Sequence, residues 1–144
     1  MREIADASRL RALMRALGSA AKSATTVYLT GGASAVLHGW RNSTIDADIK
    51  ILPENDDLMR AIPRIKEELS FNIEFASPDH FLPPLPGWQE RSPFISQEGF
   101  VVFRHYDFYA QALSKLERGH RQDLEDARQM LAKGLIERAR LKEL

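Results

Sequence analysis

Along the chain the apolar positions switch between a helical period near 3.6 and a strand period of two, and the switches delimit the elements. Over 7–21, Leu10, Leu13, Met14 and Leu17 recur at helical spacing, and the pattern stops near Gly18. Thr25–Thr30 (TTVYLT) is β-branched and apolar, which predicts a short buried strand. Gly31-Gly32 breaks it, and 33–39 (ASAVLHG) predicts a short helix with Gly39 as its C-cap. From 44 to 52 (TIDADIKIL) the alternation is strict. Ile45, Ala47, Ile49 and Ile51 take one face, and Asp46, Asp48 and Lys50 take the other. Pro53 and Glu54-Asn55-Asp56-Asp57 lead into a second amphipathic helix reaching about Leu69. Leu58, Ile62, Ile65 and Leu69 point inward there, and Pro63 disturbs the first turns.

A third strand is predicted over 71–76 (FNIEFA), with Glu74 on the same face as Asn72. Residues 77–93 hold five of the seven prolines, with Gly87 and Trp88 among them. So long and stiff a loop is a candidate binding loop or lid. Phe94-Ile95 and 100–103 flank Gln97-Glu98-Gly99, which reads as a hairpin. One last helix is predicted over 107–133, with Asp107 as N-cap and Gly134 as its end. Leu113, Leu116, His120, Leu124, Ala127 and Leu131 form its apolar stripe. The order β-α-β-α-β-hairpin-α, without repeat or linker, predicts a single α/β (or α+β) domain over 1–144, built on a mixed sheet.

Composition narrows the functions. The 144 residues suffice for one core, and 44% hydrophobic with 28% charged residues is globular. A formal net charge of zero supplies no general pull toward nucleic acid. The absence of cysteine excludes disulfides, zinc-thiolate sites and thiol catalysis, and it fits a reducing, cytoplasmic setting. No apolar run is long enough to span a bilayer, and the N-terminus lacks a signal-peptide core, so no membrane partner is expected. The four histidines (38, 80, 105, 120) are scattered without metal-ligand spacing.

The candidate chemistry sits in two places. Strand geometry puts Asp46 and Asp48 on one face with Cα atoms roughly 7 Å apart, so their carboxylates can converge on hard cations, Mg²⁺ (or Mn²⁺). Two such ions about 3.5–4 Å apart activate an attacking hydroxyl and stabilise a leaving pyrophosphate. Glu74 is the expected third carboxylate, with Asp79 as the alternative. Gly31 and Gly32 let the backbone approach an anion closely. The amides opening the next helix, with the Ser34 hydroxyl, can then hold a phosphate. Separately, Asp-x-Asp is also the pattern of a solvated strand face and Gly-Gly that of a turn. Their order on one strand-turn-helix-strand frame makes a metal–triphosphate site the better account.

These residues resemble the nucleotidyltransferase superfamily, the DNA polymerase β-like fold. Its signature is Gly-Gly or Gly-Ser, a short helix, Asp-x-Asp on the next strand and a third acid on a later one. The likeness extends to uncharacterised bacterial domains grouped with AbiEii-type toxins of type IV toxin–antitoxin systems. In those, a basic residue and a Thr precede the paired acids. Arg41-Asn42-Ser43-Thr44-Ile45-Asp46 fits this, with Arg41 one position early. The same group carries a downstream Lys and a later acid on a helix, which Lys115 through Asp126 matches. The resemblance implies that Thr44, Lys115 and Asp123 join the nucleotide site, with Lys115 on the phosphates and Asp123 orienting neighbouring basic groups. It also implies a C-terminal helix that closes the cleft, NTP as substrate and Mg²⁺ as cofactor. The acceptor would be a tRNA end, a protein hydroxyl or a small molecule, and a cognate antitoxin protein would be the partner.

On one continuous helix, Lys115, Gly119, Asp123 and Asp126 share a strip beside the apolar stripe. A mid-helix Gly119 costs about 1 kcal/mol against Ala, which points to close packing there. The plain alternative is a salt-bridged surface helix. A second alternative concerns function. Lys50 follows the acids on their own face and could pair with Asp48 in place of a metal, leaving a catalytically inactive nucleotide-binding or regulatory module. A glycosyltransferase using Asp-x-Asp fits poorly, since the chain is short for the usual nucleotide domain. His38 and His120 read as packed residues. Trp88, Arg91 and Ser92 could border a base or acceptor pocket, or could simply pack.

Overall fold

A computed structural model describes residues 6–143 other than Phe71 and Phe81. Helix α1 (Ala7–Ala20) starts where the Asp6 carboxylate accepts the Arg9 amide at 3.0 Å. Then follow β1 (Thr25–Thr30), α2 (Gly31–His38), β2 (Asp46–Leu52), α3 (Asp56–Leu69) and β3 (Asn72–Glu74). After a 3₁₀ turn at Pro78–His80 come β4 (Phe94–Glu98), β5 (Val101–His105), α4 (Phe108–Arg118), α5 (Arg121–Ala132) and α6 (Arg138–Glu143). The strands form one mixed sheet in the order β3-β2-β1-β5-β4. Strand β1 lies at its centre, antiparallel to β2 and parallel to β5, while β3 runs parallel to β2 at one edge.

The period-two pattern sorts the core. Val27, Leu29, Ala47, Ile49 and Phe103 join Leu10, Leu13 and Leu17 of α1 and Ile65 of α3 in the main cluster. Tyr28, from the opposite face of β1, packs against Tyr106 and Ala110. A third cluster holds Phe108, Ala112, Met130 and Ile136. Helices therefore flank the sheet, as the element order predicts.

Several expectations change. Helix α3 runs through Pro63, because the Asn55 cap and the buried Leu58, Ala61, Ile62 and Ile65 outweigh one missing N–H. Ile45 is not on the inward face: it stands in a bend ahead of β2 and is 66% exposed. Strand β3 has three residues; Phe71, where the strand is expected to begin, lies outside the described residues.

The single helix expected over 107–133 is two. Gly119 adopts φ +71 as the C-cap of α4, its N–H bonded to the Lys115 carbonyl at 2.8 Å. A left-handed residue ends a helix, and α5 packs back on α4. The continuous stripe consequently does not exist. His120 is exposed, and Leu116 and Leu124 are about half exposed, at 45% and 48%.

The proline-rich loop is strapped to the sheet rather than hung as a lid. Trp88 stacks on Tyr106 at 4.5 Å and meets Tyr28 edge-on at 4.9 Å. Arg91 Nη2 donates to Asp107 Oδ2 at 2.7 Å, and Arg104 Nη1 donates to the Ser92 carbonyl at 3.0 Å.

Candidate active site

Strand β2 presents Asp46 and Asp48 on its polar face, and β3 brings Asn72 opposite Asp46 and Glu74 opposite Asp48. The Asn72 amide donates to Asp46 Oδ1 at 3.0 Å and to Glu74 Oε1 at 2.8 Å, linking the first acid to the third. On the other side, Thr30 of β1 stands opposite Asp48, and the chain turns at once into Gly31. Gly31 has φ +59, and a Cβ there would lie 2.8 Å from Asp48 Oδ2. A Cβ on Gly32 would lie 2.1 Å from Thr44 Oγ1. The two glycines thus let the turn rest directly on the acid-bearing strand and on the segment that leads into it.

Burial first, then the negative charges of Glu74 and Asp46, push the Asp48 carboxyl up from 3.8 to about 6. Lys115 and Arg118 counter this only in part. The donors are hard oxygens, and one or two carboxylates completed by substrate phosphates and water are what Mg²⁺ takes. Among the described residues no group of three His, Asp or Glu side chains stands ready to hold an ion. The fit is therefore to the Asp46–Asp48 pair, with Glu74 beside it.

The facing wall comes from α4 and α5. Lys115 is buried; its Nζ donates to Asp126 Oδ2 at 2.9 Å and lies 3.8 Å from Asp123 Oδ1. Asp126 is fully buried and also accepts from Arg41 Nη2 at 2.5 Å, Trp40 Nε1 at 3.1 Å and Gln122 Nε2 at 3.1 Å. Burial would raise its pKa, but hydrogen bonds and charge from Lys115 and Arg41 outweigh that and hold it below the usual range. Through Asp126, the segment leading to Thr44 is tied to the helix pair. Between the two walls opens a cleft of about 670 Å³. Its lining includes Gly31, Gly32, Thr44, Asp46, Asp48, Lys115 and Asp123, together with Arg41, Arg118 and His120.

The family model described as nucleotidyltransferase of unknown function (DUF6036) matches residues 7–144. The chain belongs to this family. No curated protein and no solved structure matches it.

In this nucleotidyltransferase family member most of the expected site residues meet at the cleft, and the exceptions have local causes. Glu74 is exposed on β3, next to the cleft and in register with Asp48. Ser34 does not reach it. Helix α2 starts at Gly31 instead of 33, and Ser34 faces the core, bonded to His105 Nδ1 at 2.8 Å and to Gln111 Nε2 at 3.2 Å. Thr44 lines the cleft, and its Oγ1 donates to the Asp46 carbonyl at 2.9 Å. Lys50 does not pair with Asp48: its Nζ donates to Asp79 Oδ2 at 2.9 Å. Asp79 also accepts from Ser77 Oγ, so it is engaged away from the paired acids. Asp123 is buried, and its Oδ2 lies 3.5 Å from Arg118 Nε without a hydrogen bond.

Arg118, Gln111 and Asn72 are site residues that sequence reasoning missed. Arg118 and Gln111 reach the site because α4 packs beside the Gly31 turn, which no local pattern states. Asn72 had a signal, its shared face with Glu74. Arg91 and Ser92 anchor the loop, and Trp88 packs in the aromatic cluster. Among the described residues no helix is long and apolar enough to cross a membrane.

Proposed function

We propose that the protein transfers a nucleoside monophosphate from an NTP to an acceptor hydroxyl, using Mg²⁺ or Mn²⁺ held by Asp46 and Asp48. The observation that carries this reading is Asp48 itself. Its carboxylate lies under the Gly31 turn, is strained by two neighbouring acids, and faces Lys115 and Arg118 across the cleft. Divalent ions bound there supply Lewis-acid activation of the hydroxyl and neutralise charge on the departing pyrophosphate. Glu74, exposed beside Asp48, takes the proton from the acceptor hydroxyl or completes the metal site. The acceptor oxygen bonds to the α-phosphorus, the bond from that phosphorus to the β-bridging oxygen breaks, and pyrophosphate leaves with the electron pair. Gly31 and Gly32 admit the phosphates to close range. Arg118, 44% exposed at the side chain against 8% for Lys115, is the more accessible cation for the leaving phosphates. Asp123 lies between Arg118 and Lys115, and Asp126 holds Lys115, so those two acids orient the basic wall.

The acceptor is a tRNA end, a protein hydroxyl or a small molecule. If the likeness to AbiEii-type domains extends to biology, the protein would act as the toxin of a cytoplasmic toxin–antitoxin pair, with the antitoxin as its protein partner. The alternative of an inactive nucleotide-binding module rested on a Lys50–Asp48 pair, and Lys50 is engaged with Asp79 instead. Calorimetry with Mg²⁺ and each NTP, on wild type and on Asp46→Ala/Asp48→Ala, tests the reading. Nucleotide binding is expected to need both the metal and both acids; its absence in wild type would sink the proposal. Incorporation of α-labelled NTP into total RNA and protein then reports the acceptor class.

A further inference from the structure

Behind the turn sits a buried polar group that the proposed chemistry does not use. Gln111 of α4 is 1% exposed, and every polar hydrogen and its carbonyl are engaged. Its Oε1 accepts the Gly31 N–H at 3.1 Å, while Nε2 donates to the Tyr106 carbonyl at 2.7 Å and to Ser34 Oγ at 3.2 Å. Flipping the amide would set oxygen against the Tyr106 oxygen and N–H against N–H, so the orientation is determined. Ser34 Oγ, which accepts from Gln111 Nε2, also lies within hydrogen-bond distance of His105 Nδ1, at 2.8 Å. Burial first, then the adjacent His38, push His105 down to about 4, so its ring stays neutral beside Ser34. A continuous chain of hydrogen bonds thus links Gly31 to Gln111, Gln111 to Ser34 and Ser34 to His105.

We propose that Gln111 is a positioning residue that latches the Gly31 turn against Asp48, and through it sets where the substrate phosphates sit over the metal-binding acids. The phosphate part rests on the nucleotidyl-transfer reading; the latch itself does not. The need for it is physical. Gly31 is left-handed and has no side chain to hold it, and an amide opening a helix has no partner within that helix. Gln111 supplies both the partner and the restraint, from a helix that also carries Lys115 and Arg118. One side chain thereby ties the turn to the cationic wall.

Two measurements test this. Amide hydrogen exchange on the wild type is expected to show Gly31 protected, although first-turn amides are ordinarily open. In Gln111→Met, of similar length but without polar atoms, Gly31 should exchange about tenfold faster, the loss of roughly one hydrogen bond. Ile65→Val, a mild core deletion in α3, should leave Gly31 within about twofold once global stability is matched. An unprotected Gly31 in wild type, or unchanged exchange in Gln111→Met, overturns the latch. Titration with Mg²⁺ and inorganic tripolyphosphate reads the second part. Affinity is expected to fall about tenfold in Gln111→Met and to hold in Ile65→Val. Equal losses in both variants would reduce Gln111 to a general stability role. If wild type binds no tripolyphosphate, the nucleotide reading fails, while the exchange data still decide the latch.

Discussion

Asp48→Asn should stabilise the metal-free protein while destroying its metal-dependent nucleotide binding. In the fold the carboxyl is pushed up from 3.8 to about 6 by burial and by Glu74 and Asp46. The folded state therefore holds this proton more tightly than the unfolded chain. Its contribution is fully favourable below 3.8 and is lost as pH rises through about 6, so the whole penalty is present at neutral pH. A shift of about two units corresponds to a ceiling of roughly 3 kcal/mol, and partial solvent screening brings the expected gain to about 1–2 kcal/mol. For a domain of this size that is an increase in Tm of about 3–6 °C. Thermal melts in EDTA at pH 7.5 and pH 4 measure it, with the gain present at the first and largely gone at the second. A lower Tm for Asp48→Asn at pH 7.5, or a gain independent of pH, would refute carboxylate crowding as the source of the shift. On the proposed reading a bound cation would relieve this crowding, so the site would trade stability for function.

Three further outcomes follow from the same geometry. Gly32→Ala places a methyl group 2.1 Å from Thr44 Oγ1, so denaturant titration should show a loss of about 1–3 kcal/mol, with nucleotide affinity falling alongside. Asp126→Ala leaves Lys115 and Arg41 without their shared carboxylate, and chemical denaturation should register a loss of about 3–5 kcal/mol. His105 is held neutral down to about 4, so its contribution is complete above its ordinary value of 6.5 and is lost as pH falls through about 4. Over that window wild type should lose about 2–3 kcal/mol more than His105→Asn, read from urea midpoints at several pH values.

The strands and first helices were legible because each carries one strong period. Leu10 through Leu17 recur at helical spacing, and Asp46 to Lys50 alternate with Ala47 and Ile49. A single residue marked where that legibility ended. Mid-helix, Gly119 would cost about 1 kcal/mol against Ala, whereas at a left-handed C-cap Gly is the favoured residue, and only its dihedral distinguishes the two. Reading it as interior produced a stripe through Leu116, His120 and Leu124 that the fold leaves at the surface. Ser34 was misplaced for a similar reason. Which side of α2 its hydroxyl faces depends on how the helix docks on the sheet, and there it meets His105 and Gln111 in the core.

By itself the sequence determined which residues could do the chemistry. Asp46 and Asp48 on one strand face and a glycine pair ahead of them are local patterns, set by φ/ψ and by the pleat. Tertiary structure alone decided which of those residues are engaged and with what. Lys50 was free to choose Asp48 or Asp79 until the loop after β3 brought Asp79 to 2.9 Å. Asp126 acquired Arg41 and Lys115 only when the helix pair closed on the segment before β2. Charges and hydrogen bonds are satisfied by whatever lies near in space, and nearness across many residues of chain is not written in any local period.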